Sequence, residues 1–476
     1  METERMTACR IAEAVNRAEV SAYRLVEKIL DRCNHLNANL NLFVSIAGSE
    51  ALEQANKVDG MVKNGRSLPL AGVPVVVKDD FCYSAKPTTY GSPAFKNFSS
   101  PFNAAAVDKL LDAGAVIIGK TNLDGMSMGS TTAFSPNGPT RNPWDVNLVA
   151  GSAGAAAVVS EPGLIALESD SGGALRQGAS HCGVLGLRPS IGRVSRYGLN
   201  VFSSSFGQAG IIASAATDLS VVLKVISGFD YRDASTALCN STADQVADIT
   251  KPEQITIGWP ENLIDNLDSD QHNIFGQALE NIQVKGFKLA KLSISYFPEA
   301  LRAYHVIACA EASSNLSRYD GVRFGQAALA ENLEELYYKS RRLTFGPEAR
   351  RRSIFGTFLL SKGNFDLYYR QALKVWKLVR QEFSAVLDQC DLLLLPVVKN
   401  LPYPVAEQVD FLELYEGDLF CAPVSLAGLP AVSIPAGKAD HLPLGLQLVG
   451  PPFSDELLIE AASRIMTNMT MPPGVS

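Results

Sequence analysis

The run Leu70-Ala71-Gly72-Val73-Pro74-Val75-Val76-Val77 constrains the fold more than any other stretch of this chain. Its β-branched residues, bounded by Gly and Pro and without polar alternation, describe a strand buried on both faces. The run ends on Lys78-Asp79-Asp80, so three charges sit where a buried strand stops. A helix is predicted over Ala104 to Ala113, followed by a second apolar strand, Ala115-Val116-Ile117-Ile118, and then Gly119-Lys120-Thr121-Asn122. Strand, helix and strand in that order favour an α/β fold with a mixed or parallel sheet.

Residues 1 to 62 read as an N-terminal helical segment. Ser21 is a plausible cap for Ala22 to Leu30, where apolar positions 25, 26, 29 and 30 recur at helical spacing. Residues 63 to 476 read as one interlocked α/β body with a helical, more charged insertion over about 265 to 390, which includes Arg350-Arg351-Arg352. Strand-like runs return at Leu392 to Pro396, Ala431 to Pro435 and Gly445 to Gly450. No internal repeat and no low-complexity linker divides the chain.

Charge and cysteine usage narrow the function classes. Lys plus Arg is 42 and Asp plus Glu is 49, a net charge of −7 over 476 residues. That balance opposes a free-standing nucleic-acid binder, whose phosphate contacts need a basic surface. Eight widely spaced cysteines without a C-x-x-C pair suggest neither a disulfide framework nor a zinc site, and five scattered histidines lack metal spacing. No apolar stretch approaches the roughly 20 residues that cross a bilayer. The start of the chain mixes Glu2, Glu4, Arg5, Arg10, Glu13, Arg17 and Glu19, unlike a targeting peptide. A cytoplasmic protein without direct membrane binding is the expectation.

Chemistry is expected where small residues cluster. Val149 to Ala157 and Ser169-Asp170-Ser171-Gly172-Gly173-Ala174 are Gly, Ala and Ser tracts of the kind that let backbone approach a ligand. A buried lysine that loses its charge can act as a base towards a serine hydroxyl, and Lys78 at a strand end is a candidate. A strand-end lysine beside aspartates is also compatible with a simple ion pair, to Asp79 or to Asp170.

The motifs together resemble the amidase signature family. The resemblance rests on Gly72 to Asp80, Gly119-Lys120-Thr121-Asn122-Leu123-Asp124, Met128-Gly129-Ser130, Thr140 to Asp145 and Ser169 to Gly173. Cys182 to Pro189, Gly192 to Gly198, Ala310 to Gly321 and Ala427 to Ala431 are similar to the amidotransferase A-subunit branch of that family. The resemblance implies a large mixed β-sheet core covered by helices on both sides. It also implies a Ser-Ser-Lys mechanism without metal or cofactor: a neutral lysine, a relay serine held by a cis peptide bond and a nucleophilic serine, with loop N–H groups stabilising the oxyanion. Lys78 matches the lysine. Ser171, Gly172 and Gly173 match the substrate-binding loop, and Arg351 and Asp418 fall where the family's glutamine-binding Arg and Asp lie. Glutamine is the implied amide, and its ammonia would pass to B-type and C-type partner subunits, which would also carry most contact with tRNA.

The departures fall on the chemistry. Where the family's nucleophilic serine closes its loop, this chain has Ala174. The stretch Ala150-Gly151-Ser152-Ala153-Gly154 is three residues shorter than the family pattern, which puts either Ala150 or a remnant, Ser152, at the relay serine. Ser205-Phe206-Gly207-Gln208 lacks the Asp that usually precedes Gln. Alanine forms no acyl intermediate, and removing the nucleophile from a serine hydrolase costs on the order of 10⁶ in kcat. The expectations are therefore an amidotransferase subunit with impaired catalysis, a non-catalytic binding or scaffold protein, or an amidase that has moved its nucleophile to Ser171 or Ser152.

Overall fold

The computed structural model describes residues 6–238, 251–265, 267–406 and 410–466. Glu2, Glu4, Arg5 and Cys239 lie outside the described residues. The core is an 11-stranded mixed sheet in the order β1-β3-β2-β4-β6-β5-β10-β11-β9-β7-β8. Its strands are β1 Phe43–Ile46, β2 Pro74–Lys78, β3 Val116–Thr121, β4 Ile165–Asp170, β5 Leu185–Arg188, β6 Gln208–Ala213, β7 Thr256–Pro260, β8 Lys288–Leu292, β9 Leu392–Pro396, β10 Ala431–Ala439 and β11 Leu442–Val449.

The sheet's logic follows from the β2 sequence. Every β2 residue is buried, and β3 and β4 flank it in parallel. A strand so enclosed needs apolar side chains on both faces, and burying each Val is worth about 1.5 to 3 kcal/mol. The connection from β2 to β3 passes through the helix Ala105–Asp112, as the strand, helix and strand pattern requires. From β4 to β9 the neighbours run antiparallel, and β9-β7-β8 return to parallel pairing.

The N-terminal segment is not wholly helical. Ser21 caps the helix Ala22–Leu40 by accepting from the Arg24 N–H, as the sequence suggests. Asn41 then turns into the left-handed region at φ 55°, and Phe43–Ile46 pairs antiparallel with β3 as the sheet edge. Residues 6 to 62 are thus stitched into the body, because a short β-branched and aromatic run follows the helix. The insertion over 265 to 390 is mainly helical, with helices Ser269–Val284, Phe297–Leu316, Leu333–Thr344, Pro347–Leu360 and Arg370–Leu387. It also contains β8, whose Lys-Leu-Ala-Lys-Leu sequence is half exposed at the opposite edge. An alternating edge strand of that kind is hard to separate from a polar helix by composition.

Candidate functional site

The site forms where β2 and β4 end side by side. β4 places Glu168, Ser169 and Asp170 at its terminus, and Ser171-Gly172-Gly173 turns the chain into the helix Ala174–Cys182. Gly173 takes φ 128°, which a side chain would resist, and a Cβ there would collide with Cys421. A Cβ at Gly172 would collide with the Tyr304 hydroxyl. Both glycines are therefore required by close approach as well as by turn geometry.

An ion network fixes this turn. Asp170 accepts from Arg176 Nε at 3.0 Å and from Arg188 Nη1 at 3.2 Å, all three being fully buried. Arg176 also donates to Gln447 Oε1 and Ser425 Oγ. Burial alone would raise the Asp170 carboxyl, but the two guanidiniums outweigh it and hold it below the usual carboxylate range.

Lys78 is engaged with carboxylates. Its Nζ donates to Ser169 Oγ at 3.0 Å, and Ser169 in turn donates to Asp80 Oδ2 at 2.5 Å. Asp80 Oδ2 lies 3.8 Å and Glu168 Oε2 3.7 Å from the ammonium. Burial works against that charge, but Asp80 and Glu168 more than offset it and keep Lys78 above the ordinary lysine range. The partners are neither Asp79 nor Asp170: Asp79 pairs with Lys120 at 2.9 Å, and Asp170 is consumed by the arginines. Adjacent strand residues point to opposite faces, so Asp79 cannot share Lys78's surroundings.

Glu168 is the residue that sequence reasoning missed. It is buried, and burial pushes its carboxyl up to about 7 against the pull of Lys78. Its Oε1 has no hydrogen-bond partner among the described residues. A Cβ at Gly154 would collide with that same oxygen, so the carboxylate occupies the space beside the small-residue tract. A Glu directly after the apolar run Leu164-Ile165-Ala166-Leu167, at the end of a buried strand, is the signal the sequence offers.

The structure brings Lys78, Ser152 and Ala174 to the wall of one small cavity, together with Glu168 and Asp124. The Lys78 ammonium donates to Ser169, not to Ser152. Ser152 is the N-cap of the helix Ala153–Ser160, its Oγ accepting from the Ala155 N–H at 3.1 Å. Ala150, the other candidate for the relay position, is wholly buried. Among the described residues no peptide bond is cis. Gly207, standing where an Asp usually precedes Gln208, brings no carboxylate, and both polar atoms of the Gln208 amide lack partners among the described residues.

A second cavity adjoins the first across Lys78 and Ala174, with Ser171, Gly172 and Asp418 in its wall. The guanidinium lining it is Arg352, not Arg351. Arg352 donates to Glu348 Oε1 at 2.5 Å; burial opposes its charge and Glu348 restores it. Arg351 sits on the neighbouring face of the helix Pro347–Leu360, paired with Glu348 at 2.6 Å and packed over the Phe411 and Tyr415 rings. Adjacent helical residues diverge by about 100°, so a three-arginine run puts only part of itself on any one face. Asp418 accepts from Gln177 Nε2 at 2.8 Å, and burial pushes its carboxyl up to about 6. Tyr304 and Glu348 complete this wall, and nothing in the sequence singled them out.

This arrangement suits an amino acid or small zwitterion, with acids for an ammonium and a guanidinium for a carboxylate. The hydroxyls in its wall that meet a carboxylate are those of Ser127 and Ser169, both donating to Asp80 Oδ2. Ala174 has no hydroxyl, and Ser171 in the same wall has no hydrogen-bond partner among the described residues. Among the described residues no group of His, Cys, Asp and Glu is arranged to hold a metal.

The family model described as Amidase matches residues 24–459 of this chain. The A subunit of glutamyl-tRNA(Gln) amidotransferase from Natranaerobius thermophilus is 38% identical over 98% of this chain and 96% of its own. The protein of the same name from Methanosarcina mazei is 40% identical over 96% of this chain and 95% of its own. Among solved structures, the A subunit of glutamyl-tRNA(Gln) amidotransferase from Thermotoga maritima superposes with a TM-score of 0.80 at 32% identity, covering 99% of this chain and 96% of that one.

Proposed function

The chain belongs to the amidase family, and we propose that it is an amidotransferase A-subunit-like member that retains the ligand cavity and partner-docking role while having lost serine-based amide hydrolysis. The observation that carries this reading is the pairing of Ala174 with an engaged lysine. The helix that begins at Ala174 supplies no hydroxyl, and the Lys78 amine that should accept its proton is held by Ser169, Asp80 and Glu168. A protonated lysine is no base, and an alanine is no nucleophile.

The surviving cavity favours a glutamine-like ligand, its ammonium towards Asp418 and Glu348 and its carboxylate towards Arg352. Similarity along nearly the whole length of these A subunits supports docking to B-type and C-type partner subunits, with tRNA engaged mainly through them. Among the described residues no helix is long and apolar enough to cross a membrane, and a cytoplasmic site of action accords with this reading.

The test is ammonia release. Purified protein given glutamine or simple amides should release no more than its Lys78→Ala variant, while calorimetry should detect glutamine binding that is lost in Asp418→Asn and kept in Arg351→Ala. Ammonia release clearly above the Lys78→Ala control would overturn the proposal and favour a relocated nucleophile, at Ser171 or Ser152, both of which line the adjoining cavities.

A further inference from the structure

A cavity much larger than the one beside Lys78 lies on the far side of the segment that follows β2. It encloses about 760 Å³ between Thr88–Phe98 and Arg318–Gln326. The two sites share support, since the Tyr90 N–H donates to the Asp79 carbonyl and the Asn200 N–H to the Asp80 carbonyl. A volume of this size suits a ligand much larger than an amino acid.

Its chemistry is unlike the rest of the chain. Tyr90, Phe95, Phe98, Tyr319 and Phe324 line it, and the rings of Phe95 and Tyr319 meet edge-on at 5.2 Å rather than stacking. Phe98 and Phe324 are 45% and 54% exposed, a cost in water that a covering ligand would remove. Lys96, Arg318 and Arg323 supply positive charge, while Asn97, Asn200 and Gln326 supply amides. No Asp or Glu lines the cavity, although the whole chain carries −7. Arg318 donates only to Asn315 atoms and has no carboxylate partner among the described residues, whereas Arg323 pairs with Asp320 outside the lining.

Tyr90 adds an independent mark. It is 3% exposed, holds a left-handed φ of 52° that a tyrosine resists, and its hydroxyl has no hydrogen-bond partner among the described residues. Backbone strain at a ring with an orphaned hydroxyl, in a cavity wall, is a pattern associated with binding sites.

We propose that this cavity binds a nucleotide, its base packed among Phe95, Phe98 and Tyr319 and its phosphate held by Arg318 and Lys96. Aromatic faces accept any base, and a guanidinium without a carboxylate partner is the natural receptor for phosphate. The source of the nucleotide is either free in solution or the terminal residue of a single-stranded RNA. The proposal is independent of the loss of amide hydrolysis.

Calorimetry on the full chain tests it with 5′-AMP, adenosine, inorganic phosphate and a short single-stranded RNA ending in adenosine. AMP is expected to bind saturably, with adenosine and phosphate each at least about tenfold weaker, because each keeps half of the contacts. Arg318→Ala and Tyr319→Ala should each weaken AMP by roughly tenfold or more, while Asp418→Asn leaves it unchanged. Arg318 is exposed, so its variant stays informative if Tyr319→Ala melts early. An RNA end that binds roughly tenfold tighter than AMP assigns the site to RNA, and equal or weaker binding assigns it to the free nucleotide. Absence of saturable binding for both AMP and the RNA up to about 1 mM, or AMP binding undiminished in Arg318→Ala, overturns the proposal.

Discussion

Restoring the missing hydroxyl with Ala174→Ser should not restore an amidase. The barrier that remains is the lysine. Two opposite charges about 4 Å apart interact by about 4 kcal/mol at an effective dielectric near 20, and both Asp80 and Glu168 lie close to that distance from Lys78 Nζ. About 4 kcal/mol is roughly a thousandfold in the ratio of neutral amine to ammonium. Glu168, held near 7, is only partly ionised at neutral pH and can take up a proton as Lys78 gives one up, which limits the gain from deleting it to about fourfold near pH 7.5. The double variant Ala174→Ser with Glu168→Gly should therefore release ammonia from glutamine about threefold to fourfold faster than Ala174→Ser alone near pH 7.5, a gap that widens as pH rises and Glu168 ionises fully. Its rate should also begin to rise at lower pH, because the base titrates earlier. A coupled assay for ammonia across pH 6 to 10 reads both effects. Equal rates in the single and double variants, with coincident pH profiles, would show that Glu168 does not hold the lysine and would sink the argument.

Three other outcomes are expected. Ser152→Ala should cost about 1 kcal/mol as the lost cap of the helix Ala153–Ser160, seen as a lower midpoint in urea. His181 is buried and pushed down to about 4 by burial, with Nε2 3.2 Å from the Asn400 carbonyl. Its contribution is full above the ordinary value near 6.5 and is lost as pH falls through 4, up to about 3 kcal/mol. Melting curves at pH 7 and pH 4.5 should therefore differ less in His181→Asn than in the parent chain. Asp170→Asn should leave Arg176 and Arg188 buried without their carboxylate and destabilise the protein by roughly 3 to 5 kcal/mol, measured by denaturant unfolding.

The fold was legible where hydrophobic runs are long. The strand at 74 to 78, the helix behind Ser21 and the run 392 to 396 need no context, since their side chains have one way to be buried. The edge strands at 43 to 46 and 288 to 292 were not legible, because an edge strand takes its identity from a neighbour distant in sequence, β3 in one case and β7 in the other. The same distinction governs the site. Lys78, Ala174 and Asp418 stand in short recognisable motifs and all reach the cavity wall. Arg351 is displaced by its neighbour Arg352, because helical phase decides which arginine faces inward, and Glu168 is silent until β2 and β4 are laid side by side.

The scaffold around position 174 stands without a hydroxyl there, and Glu168 helps to hold the charge on Lys78. The turn that presents Ala174 is fixed by Asp170 between Arg176 and Arg188, by the close approach of Gly172 to Tyr304, and by the seat of Gly173 on Cys421; none of these uses a hydroxyl at position 174. Loss of that hydroxyl therefore costs the fold little. A buried lysine without reaction partners is different, since it must either lose its charge or acquire compensation. The short tract at 150 to 154 brings Gly154 against β4, and Glu168 fills the remaining space with a carboxylate 3.7 Å from the ammonium. Under the proposed reading, the tract at 150 to 154, the carboxylate of Glu168 and the alanine at 174 act together on Lys78. Changing only one of them should leave the others holding Lys78 in its charged state.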